Sequence, residues 1–261
     1  NEVVSFFNNK DFCGVNLQNK KFFKGSLIVA ADGRLSKIRK RKGIFSNIND
    51  FGTTMIVCKM KHEKSHNNIA SEFFHYSQTI AILPLKGGVS SVVITLPSSA
   101  SKNLLSMNKN NFNKNIFSLL NGFLGKMKLI SNLHTYPMLT VHANQFFKDR
   151  FALIGDSAVG MHPVTAHGFN LNLRGIDILT KEIKFALKTS NDIGSSRVLN
   201  SYQTKFRRIT IPIYLATNSI VKLYTNQSFP AKIARKTVLR LGNVIWPIKN
   251  AIIDKLLIKN T

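Results

Sequence analysis

The stretch FALIGDSAVGMHPVTAHGFNLNLRGIDIL, Phe151 to Leu179, limits the fold more tightly than any other part of the chain. Phe151 to Ile154 are apolar without alternation, the pattern of a strand covered on both faces. They run into Gly155-Asp156, then a loop with Pro163, then a helix-like segment opening at Gly168-Phe169-Asn170. A buried strand feeding a helix is the repeating unit of α/β sheets, whose ligands gather at the carboxyl ends of the strands. Asp156 at such an end can accept hydrogen bonds from the hydroxyls of a sugar-like chain. The first N–H groups of the following helix have no partner of their own and favour an anion.

A second unit of this kind stands earlier. KGSLIVAADGRLSKIRKRKGI, Lys24 to Ile44, reads as a buried strand over Leu27 to Ala31, a turn at Asp32-Gly33 and a short helix. Between the two units the pattern changes to β-branched runs. TTMIVCKMKHE and SQTIAILPLKGGVSSVVITLP predict three antiparallel strands, the last two a hairpin across Lys86 to Val89. Ser101 to Lys126 carries apolar residues at helical intervals, and HTYPMLTVHANQFF reads as extended. From Asp177 to Lys259 the chain reads mostly as helix. Tyr202 to Leu223 is one long candidate with a kink at Pro212, and a last helix starts near Pro247. The expected organisation is residues 1–45, a β-rich insertion over 46–145, a returning segment over 146–190 and a helical region over 191–261.

The formal charge of +25 allows nucleic acid, anionic membrane or acidic ligands as partners. The basic residues are spread along a chain also rich in Asn and Ile, as a coding bias produces. KIRKRK at Lys37 to Lys42 is the one dense cluster, and it reads as a solvated helix face. Cys13 and Cys58 have neither metal-ligand spacing nor a disulfide framework, which fits a reducing compartment. His162 and His167 lack further ligands nearby, so no metal is expected. His62, His66 and His75, with Glu63 and Glu72, read as solvent-facing residues at strand ends. The basic C-terminal stretch with Trp246 has two readings, a helix packed on the core or one lying on a membrane surface.

The order of the motifs adds a resemblance. GDSAVGMHPVTAHGFNLNLRGID resembles the second flavin-binding motif of the aromatic-hydroxylase-like flavoprotein monooxygenases, with Gly155, Asp156, Ala158, Pro163, Gly168, Asn170 and Asp177 in register. LIVAADGRLSKIRK resembles that family's Asp-Gly motif at Asp32, Gly33, Ser36 and Arg39. VGMHPVTAHGFNL, ILPLKGGVSSVVITLP and YQTKFRRITIPIYLATNSIVKLYT look like its ubiquinone-biosynthesis branch.

The resemblance implies an α/β (α+β) fold: the C-terminal part of a Rossmann-like FAD-binding domain, an inserted antiparallel β-sheet substrate domain and C-terminal helices. It implies FAD as cofactor. Asp156 and Gly155 are then expected at the ribityl chain, and Pro163 and His162 near the oxygen-reacting face of the ring. Gly168, Phe169 and Asn170 are expected to turn N–H groups to the pyrimidine side. Asp32 and Gly33 are expected near the pyrophosphate, with the helix around Arg39 seated beside them. No single side chain is expected to act as a catalytic base, because the cofactor carries the chemistry. The implied substrate is the aromatic ring of a polyprenylated quinone precursor. The implied location is cytoplasmic, peripheral to the inner membrane, in contact with its surface or with other ubiquinone-pathway proteins. Nucleic acid is not expected as a partner, and no motif shows whether NADH or NADPH is the reductant.

Two departures stand out. Asn172 occupies a position where the family usually has Gly, and a side chain there is expected to crowd the flavin or a neighbour. Among the 15 glycines no two stand two residues apart, so the family's Gly-x-Gly-x-x-Gly motif is missing. The expectation is an incomplete enzyme that holds the flavin ring side but not the adenine side, and so binds FAD weakly or not at all by itself. An inactive fragment and a basic non-catalytic protein binding nucleic acid or anionic membrane are the alternatives.

Overall fold

A computed structural model describes residues 1–75, 78–163 and 168–225. The chain forms two compact units: Asn1–Asn49 with the chain from Leu139 onward, and Asp50–Met138. The described residues from Leu139 to Thr225 thus group with the first 49.

The first unit opens with an antiparallel meander of β1 (Val3–Asn8), β2 (Cys13–Leu17) and β3 (Phe22–Gly25). Next come β4 (Ile28–Ala30) and the short helix α1 (Lys37–Arg41). In the middle of the sequence lie β5 (Ser46–His62), β6 (Ser71–Phe74), β7 (Thr79–Leu85), β8 (Val89–Pro97), α2 (Ser98–Leu105), α3 (Lys109–Leu119), β9 (Met127–Leu129) and β10 (His134–Ala143). The chain then returns through β11 (Phe147–Lys148), β12 (Phe151–Leu153), a 3-10 turn at Gly155–Ser157, β13 (Val159–Gly160), α4 (Gly168–Lys188) and α5 (Ser196–Thr225).

The two buried strands read from the sequence lie side by side. β12 pairs with β4 in parallel, Phe151 opposite Ile28, Ala152 opposite Val29 and Leu153 opposite Ala30. β11 completes the small sheet as the antiparallel neighbour of β12. All three β12 residues are buried, as the unbroken apolar run requires. They join Leu171 and Leu179 of α4 and Leu199, Tyr202 and Phe206 of α5 in one core. Burying each large apolar side chain contributes about 1.5–3 kcal/mol. The Tyr202 hydroxyl, inside that core, donates to the Leu153 carbonyl at 2.7 Å. α5 continues through Pro212.

The second unit is an antiparallel sheet of β6, β7, β8 and β5, with β9 on β5. The hairpin across Lys86–Val89 forms where read: Leu85 faces Val89 and Thr79 faces Thr95. Ser90, Val92, Ile94 and Leu96 of β8 are buried alternately, and α2 and α3 bring Leu104, Phe112 and Ile116 to the same core. The helical intervals between Ser101 and Lys126 fall on two helices, α2 and α3. Asn108 ends the run by accepting the Asn111 N–H at 2.9 Å, which caps the start of α3. The last helix expected near Pro247, with Trp246, lies outside the described residues. No described helix is long and apolar enough to cross a membrane.

Candidate functional site

Parallel pairing of β4 and β12 brings both Gly-and-Asp turns to one edge of the sheet. Gly33 has φ +84° and Gly155 φ +63°, the left-handed region that L side chains enter at a cost of about 1–2 kcal/mol. Both strand ends therefore turn sharply where only glycine does so freely. They are also tied together: the Ile154 N–H and the Ser157 hydroxyl both donate to the Ala30 carbonyl, at 3.0 and 2.8 Å.

Asp32 looks to its own helix. Its Oδ2 accepts the Ile38 N–H at 3.1 Å and its Oδ1 accepts the Ser36 hydroxyl. The Ser36 oxygen in turn accepts the Arg39 N–H at 2.9 Å, capping α1. Arg39, expected at the cofactor, is fully buried and faces inward. Its guanidinium donates to the Ser157 carbonyl at 2.6 Å and to the Arg34 carbonyl at 3.1 Å. It fastens one turn to the other and presents nothing to a ligand. Burial lowers its proton affinity, and the Asp32 charge partly restores it. The basic cluster is thus only in part a solvated face. Arg41 reaches the Val3 carbonyl, and the Lys42 ammonium lies 5.1 Å from the Phe6 ring centre.

Asp156 has different neighbours. Arg34 Nε and Nη2 both donate to its Oδ2, at 3.1 and 2.8 Å, and Asn172 Nδ2 donates to its Oδ1 at 2.8 Å. Arg34 Nη1 is held by the Leu139 carbonyl at 2.8 Å. The arginine lies over Gly160, where a Cβ would fall 2.8 Å from its Nε. Neither Arg34 nor this partner for Asn172 was expected from the sequence. The one available sign was the arginine directly after Asp32-Gly33. The side chain at 172 is turned onto Asp156, and its own Oδ1 is buried without a partner among the described residues, a cost of about 1–3 kcal/mol.

Pro163, Phe169 and Asn170 are exposed and Gly168 begins α4, so the first N–H groups of a 21-residue helix open beside this edge. His162 is half-buried, and burial with the Arg34 charge holds its proton affinity below the ordinary imidazole value. His167 lies outside the described residues, as does His162's connection to it.

Two titratable groups of the second unit are structural. His62 is buried rather than solvent-facing, with Nδ1 2.7 Å from the Lys64 carbonyl and Nε2 3.0 Å from the Ser90 hydroxyl. Cys58 is pushed up to about 12 by burial, which makes it an inert thiol. Among the described residues no group of three or more His, Cys, Asp or Glu is placed to hold a metal ion. A cavity of about 540 Å³ lies between α4 and α5, and none of the site residues lines it. Two of its lysines are already matched, Lys181 with Asp177 and Lys205 with Glu182.

The donor set at the sheet edge fits a polyol-bearing anionic cofactor. A carboxylate has about four lone-pair sites, and the three donors on Asp156 leave one, on Oδ1. The Asp156 side chain is 34% exposed, which leaves the carboxylate open to a ligand.

Comparison with known proteins agrees with this geometry. The chain belongs to the family of FAD binding domains, whose family model matches residues 13–212. It is 43% identical to the ubiquinone hydroxylase UbiM of Neisseria meningitidis over 93% of its own length and 52% of the relative's. It is 31% identical to the ubiquinone hydroxylase UbiL of Rhodospirillum rubrum over 92% of its length and 56% of the relative's. The chain thus spans about half the length of the curated relatives it matches. Among solved structures it resembles Klebsiella pneumoniae HpxO complexed with FAD and uric acid, with a TM-score of 0.72 and 15% identity over 98% of this chain and 66% of that one. That likeness shows the Rossmann-like fold.

Proposed function

We propose that this chain is the flavin-ring side of an FAD-dependent monooxygenase that hydroxylates the aromatic ring of a polyprenylated quinone precursor in ubiquinone biosynthesis. The observation that carries the reading is the edge where Asp32 and Asp156 stand at the ends of paired parallel strands, with α4 opening next to them. Relatives named ubiquinone hydroxylases narrow the substrate class. FAD, when bound, supplies the redox chemistry and the activation of oxygen.

The residues of the chain bind and orient. Asp156 accepts a ribityl hydroxyl on its remaining lone pair, and Gly155 keeps Cβ bulk away from the chain. The first N–H groups of α4, from Gly168 to Asn170, stabilise negative charge on the pyrimidine side of the ring. Pro163 and His162 line the approach to its reacting face, and His162 is held neutral there at physiological pH. Asp32 and Gly33 shape the turn nearest the pyrophosphate. NADH or NADPH is the reductant of this reading, and contact with a membrane surface is the route to a polyprenyl substrate.

The test uses the chain alone and joined to the part of the Neisseria relative that the match leaves uncovered. The joined protein should keep its yellow colour through desalting. With NADH or NADPH and a short-chain prenylated phenol it should add one oxygen to the ring. A joined protein that binds no flavin overturns the reading.

A further inference from the structure

The geometry points to Asn172 as a positioning residue that, opposite Arg34, fixes the Asp156 carboxylate for a polyol hydroxyl; this rests on the flavin reading above. Three observations lead there. Asp156 is gripped from both sides by side chains of other elements, Arg34 from the loop after β4 and Asn172 from the second turn of α4. Its backbone sits on a left-handed glycine turn, so without these grips nothing on the turn itself sets the carboxylate plane. Asn172 also keeps a buried, unpartnered Oδ1. An unpaired buried acceptor costs stability, and glycine at 172 would remove that burden.

The grip has a defined chemical result. Arg34 saturates Oδ2 with two donors, so it directs any ligand to Oδ1. Asn172 takes one Oδ1 lone pair and leaves the other pointing away from the protein donors. The carboxylate is thereby offered to a single hydroxyl in a single direction. The charged group bonded to it is Arg34, which also lowers the proton affinity of His162, while Arg39 holds the carbonyl of the next residue, Ser157.

The consequence runs against the expectation that a side chain at 172 crowds the flavin. Restoring the glycine usual in the family should weaken flavin binding. The experiment is fluorescence titration with riboflavin and with lumiflavin, which lacks the ribityl hydroxyls. It is run on the chain and on the joined protein described above, with FAD added for the latter. Asn172→Gly and Asn172→Ala should each lose about fivefold to tenfold in riboflavin and FAD affinity, with lumiflavin affinity unchanged. Asn172→Asp keeps the shape but lacks the N–H. It should bind poorly at pH 8 and recover toward pH 5, where the paired carboxyls share a proton and one becomes a donor again. The unsubstituted protein measured at the same pH values removes the contribution of His162. Equal or tighter riboflavin binding by both Asn172→Gly and Asn172→Ala overturns the inference and leaves the flavin reading standing. Loss of riboflavin and lumiflavin binding together assigns Asn172 a plain structural role and overturns it too. If neither unsubstituted protein binds any flavin, the parent reading fails and this one with it.

Discussion

The turns after β4 and β12 share a plan: each is a parallel strand, a left-handed glycine and a carboxylate. They spend that carboxylate differently. Asp32 bonds to its own next turn, Ser36 and Ile38, within six residues. Asp156 bonds to Arg34 and Asn172, at sequence separations of 122 and 16. A carboxylate absorbed by a local cap shapes the backbone. One held by distant side chains, with a lone pair left over, is free to meet a ligand. The same dipeptide chemistry thus serves structure at one turn and, in the flavin reading proposed above, recognition at the other.

The sharpest way to break this comparison is to remove what the turns share. Arg39→Ala takes away two buried hydrogen bonds and leaves a void, and should cost about 3 kcal/mol or more in chemical denaturation. Both turns should loosen together. Next in size is an acid effect that must be separated out. His142 is buried against Phe146 and Tyr214, and burial, with Arg207 nearby, lowers its pKa to about 4. Between the ordinary value near 6.5 and about 4 the unfolded chain binds a proton that the folded chain does not, so stability falls as pH falls through that window. The loss is at most about 3 kcal/mol, and His142→Gln should flatten this limb of a pH–stability curve. Comparisons of the turns therefore belong above pH 7.

Gly155→Ala follows at about 1–2 kcal/mol, all of it backbone strain, because no atom lies within 4 Å of the added Cβ. Asp32→Ala should cost about 1 kcal/mol by thermal melting, from the loss of the cap network. Asp156→Asn should change stability least, by under about 1 kcal/mol, since its ion pair with Arg34 is partly exposed. It should nevertheless lower flavin affinity about tenfold, measured by titration. A variant order in which Asp156 mattered most for folding and not for flavin would erase the distinction between the turns.

Much of the framework was legible because it rests on local pattern. The unbroken apolar runs gave β4 and β12, β-branched and apolar runs gave β7 and β8, and Gly87-Gly88 gave their hairpin. The meander of β1, β2 and β3 was not read, since its strands are short and interrupted by Asn and Lys. β6 escaped because it is only four residues long. At the site, the sequence supplied the glycines and carboxylates but not their partners. Arg34 meets Asp156 only because two strands far apart in sequence pair in parallel, and no local pattern encodes that pairing. Arg39 carried the opposite lesson: a motif position shows that a residue matters but not which way its side chain faces.

That inward-facing guanidinium also bears on motion. Hooked to a carbonyl in each turn, it makes the two loops one mechanical body. A ligand seated against either loop restrains both, and amide hydrogen exchange at Arg34 and at Ser157 should slow in step when a flavin binds.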